Sequence, residues 1–215
     1  RFDYFSDSNV RHLSPHLGMM YKIGNCSLRG SYSQGFRSPT LKEMYMVFNM
    51  ANMMMIYGNP DLKSETSHNF SLSAEYTKNR YNFSVTGYYN LVHNRINTVY
   101  SDDHKGQIYT NTDKVDIAGV DANISAKYPC GLGFRMSYTY IHEFMRDGQK
   151  KFTDTRPHTA TVRVDWGENL DKVDFNYSLN GRILSEIKTN VYNDSFNNPA
   201  AGSTAVTYPG YMIWD

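Results

Sequence analysis

The stretch Phe70-Ser71-Leu72-Ser73-Ala74-Glu75-Tyr76-Thr77, then Lys78-Asn79-Arg80, then Tyr81-Asn82-Phe83-Ser84-Val85-Thr86-Gly87-Tyr88-Tyr89-Asn90-Leu91, decides the fold. Apolar and polar side chains alternate with period two on both arms, so each arm is a strand with one apolar and one polar face. The three residues between them turn the chain, and the pair is a hairpin.

Working outward, the unit recurs. Val120, Ala122, Ile124, Ala126 and Tyr128 lead to a turn over 129–133, with Phe134, Met136, Tyr138 and Tyr140 returning. Ala160, Val162, Val164 and Trp166 lead to a turn over 167–171, with Val173, Phe175, Tyr177, Leu179 and Gly181 returning. An earlier copy passes through Leu17, Met19 and Tyr21, turns within 22–25, and returns through Leu28, Gly30 and Tyr32. The pattern predicts antiparallel strands over 68–77, 81–93, 118–128, 133–142, 158–166 and 172–183, paired in sequential order. Glu75, Asp121, Lys127, Arg135, Arg163, Asp165, Asp174 and Arg182 all fall on the polar faces.

The 215 residues are 40% hydrophobic and 20% charged, with formal net charge +1. That balance suits one folded unit and gives no electrostatic reason to expect nucleic acid. Its 18 Tyr and 11 Phe favour pleated, half-buried surfaces, so the class is all-β. The longest apolar run, Met53 to Tyr57, is far short of the ~18 residues a membrane-crossing helix requires. Barrel strands hide their membrane signal in alternation, because only every second residue meets lipid.

Connection lengths carry a second, independent pattern. Short turns alternate with long loops near 37–66, 94–116, 142–157 and 184–209. Outer-membrane barrels sort their connections this way, short turns on the periplasmic side and long loops outside. Tyr76, Tyr81, Tyr128 and Trp166, near strand ends, suit an interfacial girdle. The expected architecture is an antiparallel up-and-down transmembrane β-barrel, present in part.

Two signatures bracket the first long loop: Gly35-Phe36-Arg37-Ser38-Pro39-Thr40-Leu41 and Gly58-Asn59-Pro60-Asp61-Leu62-Lys63-Ser64-Glu65. With them, in matching order, come Arg1-Phe2-Asp3-Tyr4 followed by Ser14-Pro15, Ser31-Tyr32-Ser33-Gln34, Asn111 leading to Ala118-Gly119-Val120-Asp121, and Thr155-Arg156-Pro157-His158. The set resembles the TonB-dependent outer-membrane receptors over nearly the whole chain. Phe36, Arg37, Pro39, Asn59, Pro60, Leu62 and Glu65 carry the most specific part of the resemblance.

What the resemblance implies is a barrel of about 22 strands with a plug in its lumen, in the outer membrane of a Gram-negative bacterium. Residues 1–215 supply about ten of those strands. The plug, the TonB box and the closing strands lie outside them, and the stretch at Arg1 has no signal-peptide character. The implied partners are TonB with its inner-membrane energising complex, reached through the N-terminal region, and outer-membrane lipid. The implied ligand is a ferric siderophore first, then cobalamin or haem, and no resident cofactor is expected. A passive porin or adhesin and an outer-membrane barrel hydrolase are the alternatives, although no nucleophile elbow, phosphate loop or triad spacing is present.

Arg37 has two readings: it anchors the loop base against a carboxylate, or it contacts an anionic ligand. The loop holds Met44, Met46, Met50, Met53, Met54 and Met55, six of the chain's 11 methionines, with Tyr45, Phe48 and Tyr57. Arg37, Met50, Met53, Met54, Met55 and Tyr57 are the candidate ligand-binding residues. Thioethers adapt to irregular apolar surfaces and also ligate haem iron or Cu(I). The interval also fits a loop packed on itself, and it contains no His, which weakens a haem reading. His12 and His16 are separated by Ser14-Pro15, and His142-Glu143 sits in a strand pattern, so neither forms a helical metal motif. The Asn-x-Ser triplets at Asn69, Asn82, Asn123 and Asn176 are successive polar-face positions. Cys26 and Cys130 lie at turns of different hairpins, without metal-like spacing.

Overall fold

The computed structural model describes residues 2–5, 10–50, 54–100, 106–144, 155–170, 173–192 and 203–215. In chain order, β1 (Phe2–Phe5) pairs with β2 (Val10–Leu13) as a separate hairpin. Then follow β3 (His16–Ile23), β4 (Cys26–Arg37), a short helix α1 (Leu41–Tyr45), and the hairpin β5 (Val47–Met50) and β6 (Met54–Tyr57). The wall continues through β7 (Glu65–Lys78), β8 (Tyr81–Tyr100), β9 (Gly106–Lys127), β10 (Leu132–Phe144), β11 (His158–Leu170) and β12 (Val173–Leu184). A second outlying hairpin, β13 (Ile187–Tyr192) with β14 (Ser203–Tyr208), precedes β15 (Tyr211–Trp214), which closes against β12.

The order β3-β4-β7-β8-β9-β10-β11-β12-β15 is sequential and every pairing along it is antiparallel. All six expected strands are present in the expected order. Four of them agree with their sequence-based bounds to within about four residues, whereas β8 ends later and β9 begins earlier than expected. Asn79, at φ 51°, turns β7 into β8. Gly131, at φ 81°, turns β9 into β10, and a Cβ there would lie 1.9 Å from the Gly167 carbonyl oxygen, so the turn admits only glycine.

Register makes the two faces coherent across the sheet. Ala74, Val85, Ala122, Tyr138, Ala160, Ile183 and Met212 form one row of directly paired neighbours. The adjoining row, on the opposite face, is Glu75, Ser84, Asn123, Ser137, Thr161 and Arg182. A one-residue slip anywhere would put charge among the apolar side chains, so the pattern itself specifies register. The apolar face is bare: Met19 is 82% and Leu72 68% exposed. Such a surface is unsuited to water and suited to lipid. No helix among the described residues is long and apolar enough to cross a membrane.

Three expectations are corrected. Residues 94–116 are mostly strand, because β8 and β9 run for 20 and 22 residues. Crossing lipid takes about 9–11 residues, so roughly half of this hairpin stands beyond the apolar band. The turn expected over 167–171 is shorter, since β11 continues to Leu170. The loops near 37–66 and 184–209 contain their own elements, α1 with β5 and β6 in the first and β13 with β14 in the second. Tyr81 and Tyr128 meet edge-on at 6.3 Å and Trp166 stacks on Tyr177 at 5.8 Å, which assembles the expected girdle at the short-turn end. Cys26 and Cys130 are both free thiols on the surface.

Candidate functional site: a clamped mouth

The few buried apolar side chains among the described residues are Leu62, Val92, Ile96, Val115 and Ile187. None lies in the middle of the wall. Val92 pairs directly with Val115, and these two with Leu62 and Ile96 belong to the long-loop end. There the chain builds a small core beneath residues 38–64.

Arg37 ends β4 and sits directly opposite Glu65, the first residue of β7, on the lumen-side face. Its guanidinium donates to a Glu43 carboxylate oxygen, and its Nη1 lies 3.6 Å from Glu65 Oε2. Glu43 caps α1 reciprocally with Thr40. The Glu43 backbone N–H donates to the Thr40 hydroxyl at 3.2 Å, and the Thr40 N–H donates to Glu43 Oε2 at 2.8 Å. Glu65 in turn accepts the Ile96 N–H at 3.3 Å. One arginine thereby ties helix, β7 and β8 together.

The second signature completes the clamp. Asn59 Oδ1 accepts the Asp61 N–H at 2.9 Å and its Nδ2 donates to the Tyr109 carbonyl at 3.0 Å. The Asn59 N–H donates to the Glu43 carbonyl at 2.9 Å. Asn111 accepts from the Lys63 N–H at 2.7 Å and donates to the carbonyls of Lys63 and Asn94. β6 pairs in parallel with the start of β9, Ile56 opposite Gln107. Gly106 admits this approach, because a Cβ would stand 2.8 Å from the Met55 carbonyl oxygen.

A related device fastens the last loop. Arg156 donates to the Ser185 carbonyl and to the Pro209 carbonyl, and its guanidinium lies 4.8 Å over the Tyr211 ring. Both arginines lie within two residues of a proline at a loop base.

Burial by itself would raise the Glu43 carboxyl, but the Thr40 backbone N–H, the Arg37 guanidinium and the Thr40 hydroxyl outweigh it and hold the group below its ordinary 4.5. The folded value is depressed, so this stabilisation is complete above pH 4.5 and is lost as pH falls through the lower folded value. Amide exchange at Asn59, whose N–H is bound to Glu43, is therefore expected to stay slow from neutral pH to about 4.5 and to accelerate below it. Glu43→Gln should abolish that acid transition, and an unchanged transition would locate it elsewhere.

Above the clamp, the mouth exposes Leu41, Tyr45, Met46, Val47, Phe48 and Tyr57, the first two 67% and 64% accessible. The Lys42 ammonium sits 5.2 Å over the Phe48 ring. Met55 is half-buried, while Met50 and Met54 are backbone partners in the β5–β6 register. Met53 lies outside the described residues. Among the described residues no cluster of His, Cys, Asp or Glu could hold a metal. Of the sequence candidates, Arg37, Asn59, Leu62 and Glu65 come together; Phe36 faces the other way, opposite Thr66. Glu43 and Asn111 were missed as site residues, although Thr40-Leu41-Lys42-Glu43 is a capping-box pattern.

The family model described as TonB dependent receptor-like, beta-barrel, matches residues 1–215. The iron-regulated outer membrane virulence protein of Vibrio cholerae serotype O1 (strain ATCC 39315 / El Tor Inaba N16961) is 27% identical over 217 aligned positions, 92% of this chain and 33% of that protein. Among solved structures, the siderophore receptor PirA from Acinetobacter baumannii superposes with TM-score 0.76 at 18% identity, covering 99% of this chain and 35% of that one. The copper transporter OprC superposes at 0.70 with 14% identity, covering 94% and 30%. The chain thus spans about a third of the length of the curated relatives it matches.

Proposed function

The chain belongs to the TonB-dependent receptor β-barrel family of the Gram-negative outer membrane, and from that premise we propose that it is part of an energy-coupled importer of a ferric siderophore. In this reading residues 1–215 are one partial barrel domain. A plug and a TonB box elsewhere in the protein couple it to TonB and the inner-membrane energising complex. Its work is transport, with no catalytic residue.

The observation that carries the reading is the clamped mouth: a fixed apolar rim of Leu41, Tyr45, Met46, Val47, Phe48 and Tyr57 above a polar lumen wall. A large, partly aromatic chelate fits such a rim, and the names of the V. cholerae and A. baumannii relatives support iron. Cobalamin and haem rank lower, haem because no His lies between the two signatures.

The test uses the complete receptor. Growth of a deletion strain on single ferric siderophores, haem or cobalamin should be rescued by the receptor on a siderophore, and only with TonB present. Rescue without TonB would point to a passive porin. Replacing Met50, Met53, Met54 and Met55 together with Ser should weaken siderophore binding about tenfold, a loss of about 1.4 kcal/mol. Unchanged affinity in an assembled barrel would remove the methionines from the binding surface.

A further inference from the structure

The lumen-side face of β9 to β12 carries a diagonal row of cations, one to a strand. Arg135 on β10 is directly opposite Arg163 on β11. One lumen-side step toward the mouth, Arg182 on β12 is paired with Thr161, and one step toward the short turns Lys127 on β9 is paired with Gly133. The Lys127 N–H donates to the carbonyl of Arg80, the turn residue just before β8, at 3.1 Å. With strands about 4.8 Å apart, the row crosses about 19 Å of wall and descends toward the short-turn end.

Two carboxylates share this part of the face. Asp165 accepts from Arg163 Nε at 2.7 Å, and Asp215 is bonded through its backbone to Asn180 on β12. Among the described residues Arg80, Lys127, Arg135 and Arg182 make no ion pair. On β7 the next carboxylate, Glu75, already accepts from Asn82 at 2.8 Å. Positive charge is therefore in excess along the row.

Like charges directly opposite one another destabilise a strand pair, and arginine does not shed its proton to relieve the repulsion. The same two strands do without such a pair one step toward the mouth, where the Ser137 and Thr161 hydroxyls meet. Two concavities flank the arginines. One of about 850 Å³ is lined by Arg80, Lys127, Arg135 and Arg163, and one of about 380 Å³ is lined by Arg135 and Arg163 with Asn123, Ser137 and Thr161. An anion lying there accepts from both guanidiniums and removes their repulsion. Neighbouring seats also let it leave one as it gains the next, as passage through a channel requires.

We propose that Arg182, Arg163, Arg135 and Lys127 form an anion track on the lumen wall, and that the ferric chelate it carries is negatively charged. The proposal rests on the siderophore reading above and adds the charge of the ligand and a place it occupies below the mouth.

The test uses the full-length receptor with Cys26 and Cys130 changed to Ser and a nitroxide attached through Ser137→Cys, beside the arginine pair. It is titrated with a trianionic tripodal iron(III) tris-catecholate and with a neutral tripodal iron(III) tris-hydroxamate. Paramagnetic iron on the track shortens the relaxation time of the nitroxide. The trianion should half-saturate this effect at a concentration about tenfold lower than the neutral chelate, as charge-assisted hydrogen bonds require. Arg135→Gln with Arg163→Gln should remove most of that preference, while Arg29→Gln, opposite Ser73 on the lumen side of β4, should leave it unchanged. Equal half-saturation by the two chelates would overturn the proposal, as would a double variant that assembles and still prefers the trianion. Silence toward both would mean that another part of the protein covers the row, and would overturn it too. Growth rescue reports on import separately, so a receptor that rescues growth without this preference defeats the track alone.

Discussion

Introducing arginine at Val85, Ile124 or Val164 in the complete receptor is expected to block assembly into the outer membrane. All three lie on the lipid face. Val85 sits between Ala74 and Ala122, Ile124 between Phe83 and Met136, and Val164 between Phe134 and Leu179. Arginine costs ~2–4 kcal/mol near the midplane of such a wall, because the guanidinium must reach water across acyl chains. Against a typical total of about 5–15 kcal/mol, one substitution removes a large share. Arginine at Asn82, Asn123 or Thr161 meets the lumen instead and should assemble near normally. The check is surface expression together with the heat-resistant folded fraction on gels. Equal loss in both sets would mean that the two faces have been exchanged.

The second large effect is expected at the clamp. Arg37→Ala leaves Glu43, which is buried, without its cationic partner, and leaves Glu65 facing an alanine. Removing one partner of a fully buried pair costs about 3–5 kcal/mol. Half of the Arg37 side chain is exposed, and screening reduces the figure to about 1–3 kcal/mol. The loss falls on local opening of residues 38–64 and spares the wall. Protease cleavage within that segment should rise about 5- to 150-fold while barrel assembly is unchanged. Arg37→Ala combined with Glu43→Gln should recover part of the protection, since the orphaned charge is gone. Cleavage at the parent rate would remove Arg37 from the anchoring role.

The wall was legible because lipid on one side and a polar lumen on the other impose the same constraint on every residue of a strand. Phe70 to Thr77 could satisfy it only in one register. Beyond the membrane that constraint ends, and so did the signal. Residues 94–100 and 106–116 continue β8 and β9 without strict alternation, so strands of membrane length stop short of them. Thr98, Val99, Tyr100, Ile108 and Tyr109 carry strand preference that could have extended the assignment.

At the mouth, the signatures marked Arg37, Asn59 and Glu65 as special without saying what they touch. Ile96 and Tyr109, which bond Glu65 and Asn59, and Asn111, which bonds Lys63, lie tens of residues away, and only the folded β8–β9 hairpin brings them near. The anchoring reading of Arg37 matches its two carboxylates, whereas nothing local in the sequence named Glu43 as one of them.

The bonds that fasten the first outer segment are made outside the β5–β6 tip, by Arg37, Glu43, Asn59 and Asn111. An insertion between Met50 and Met54 would leave every one of them intact, and doubling the length of such a tip costs only about 0.6 kcal/mol in chain entropy. The receptor can therefore change what it presents to its surroundings by small genetic steps that leave its folding untouched.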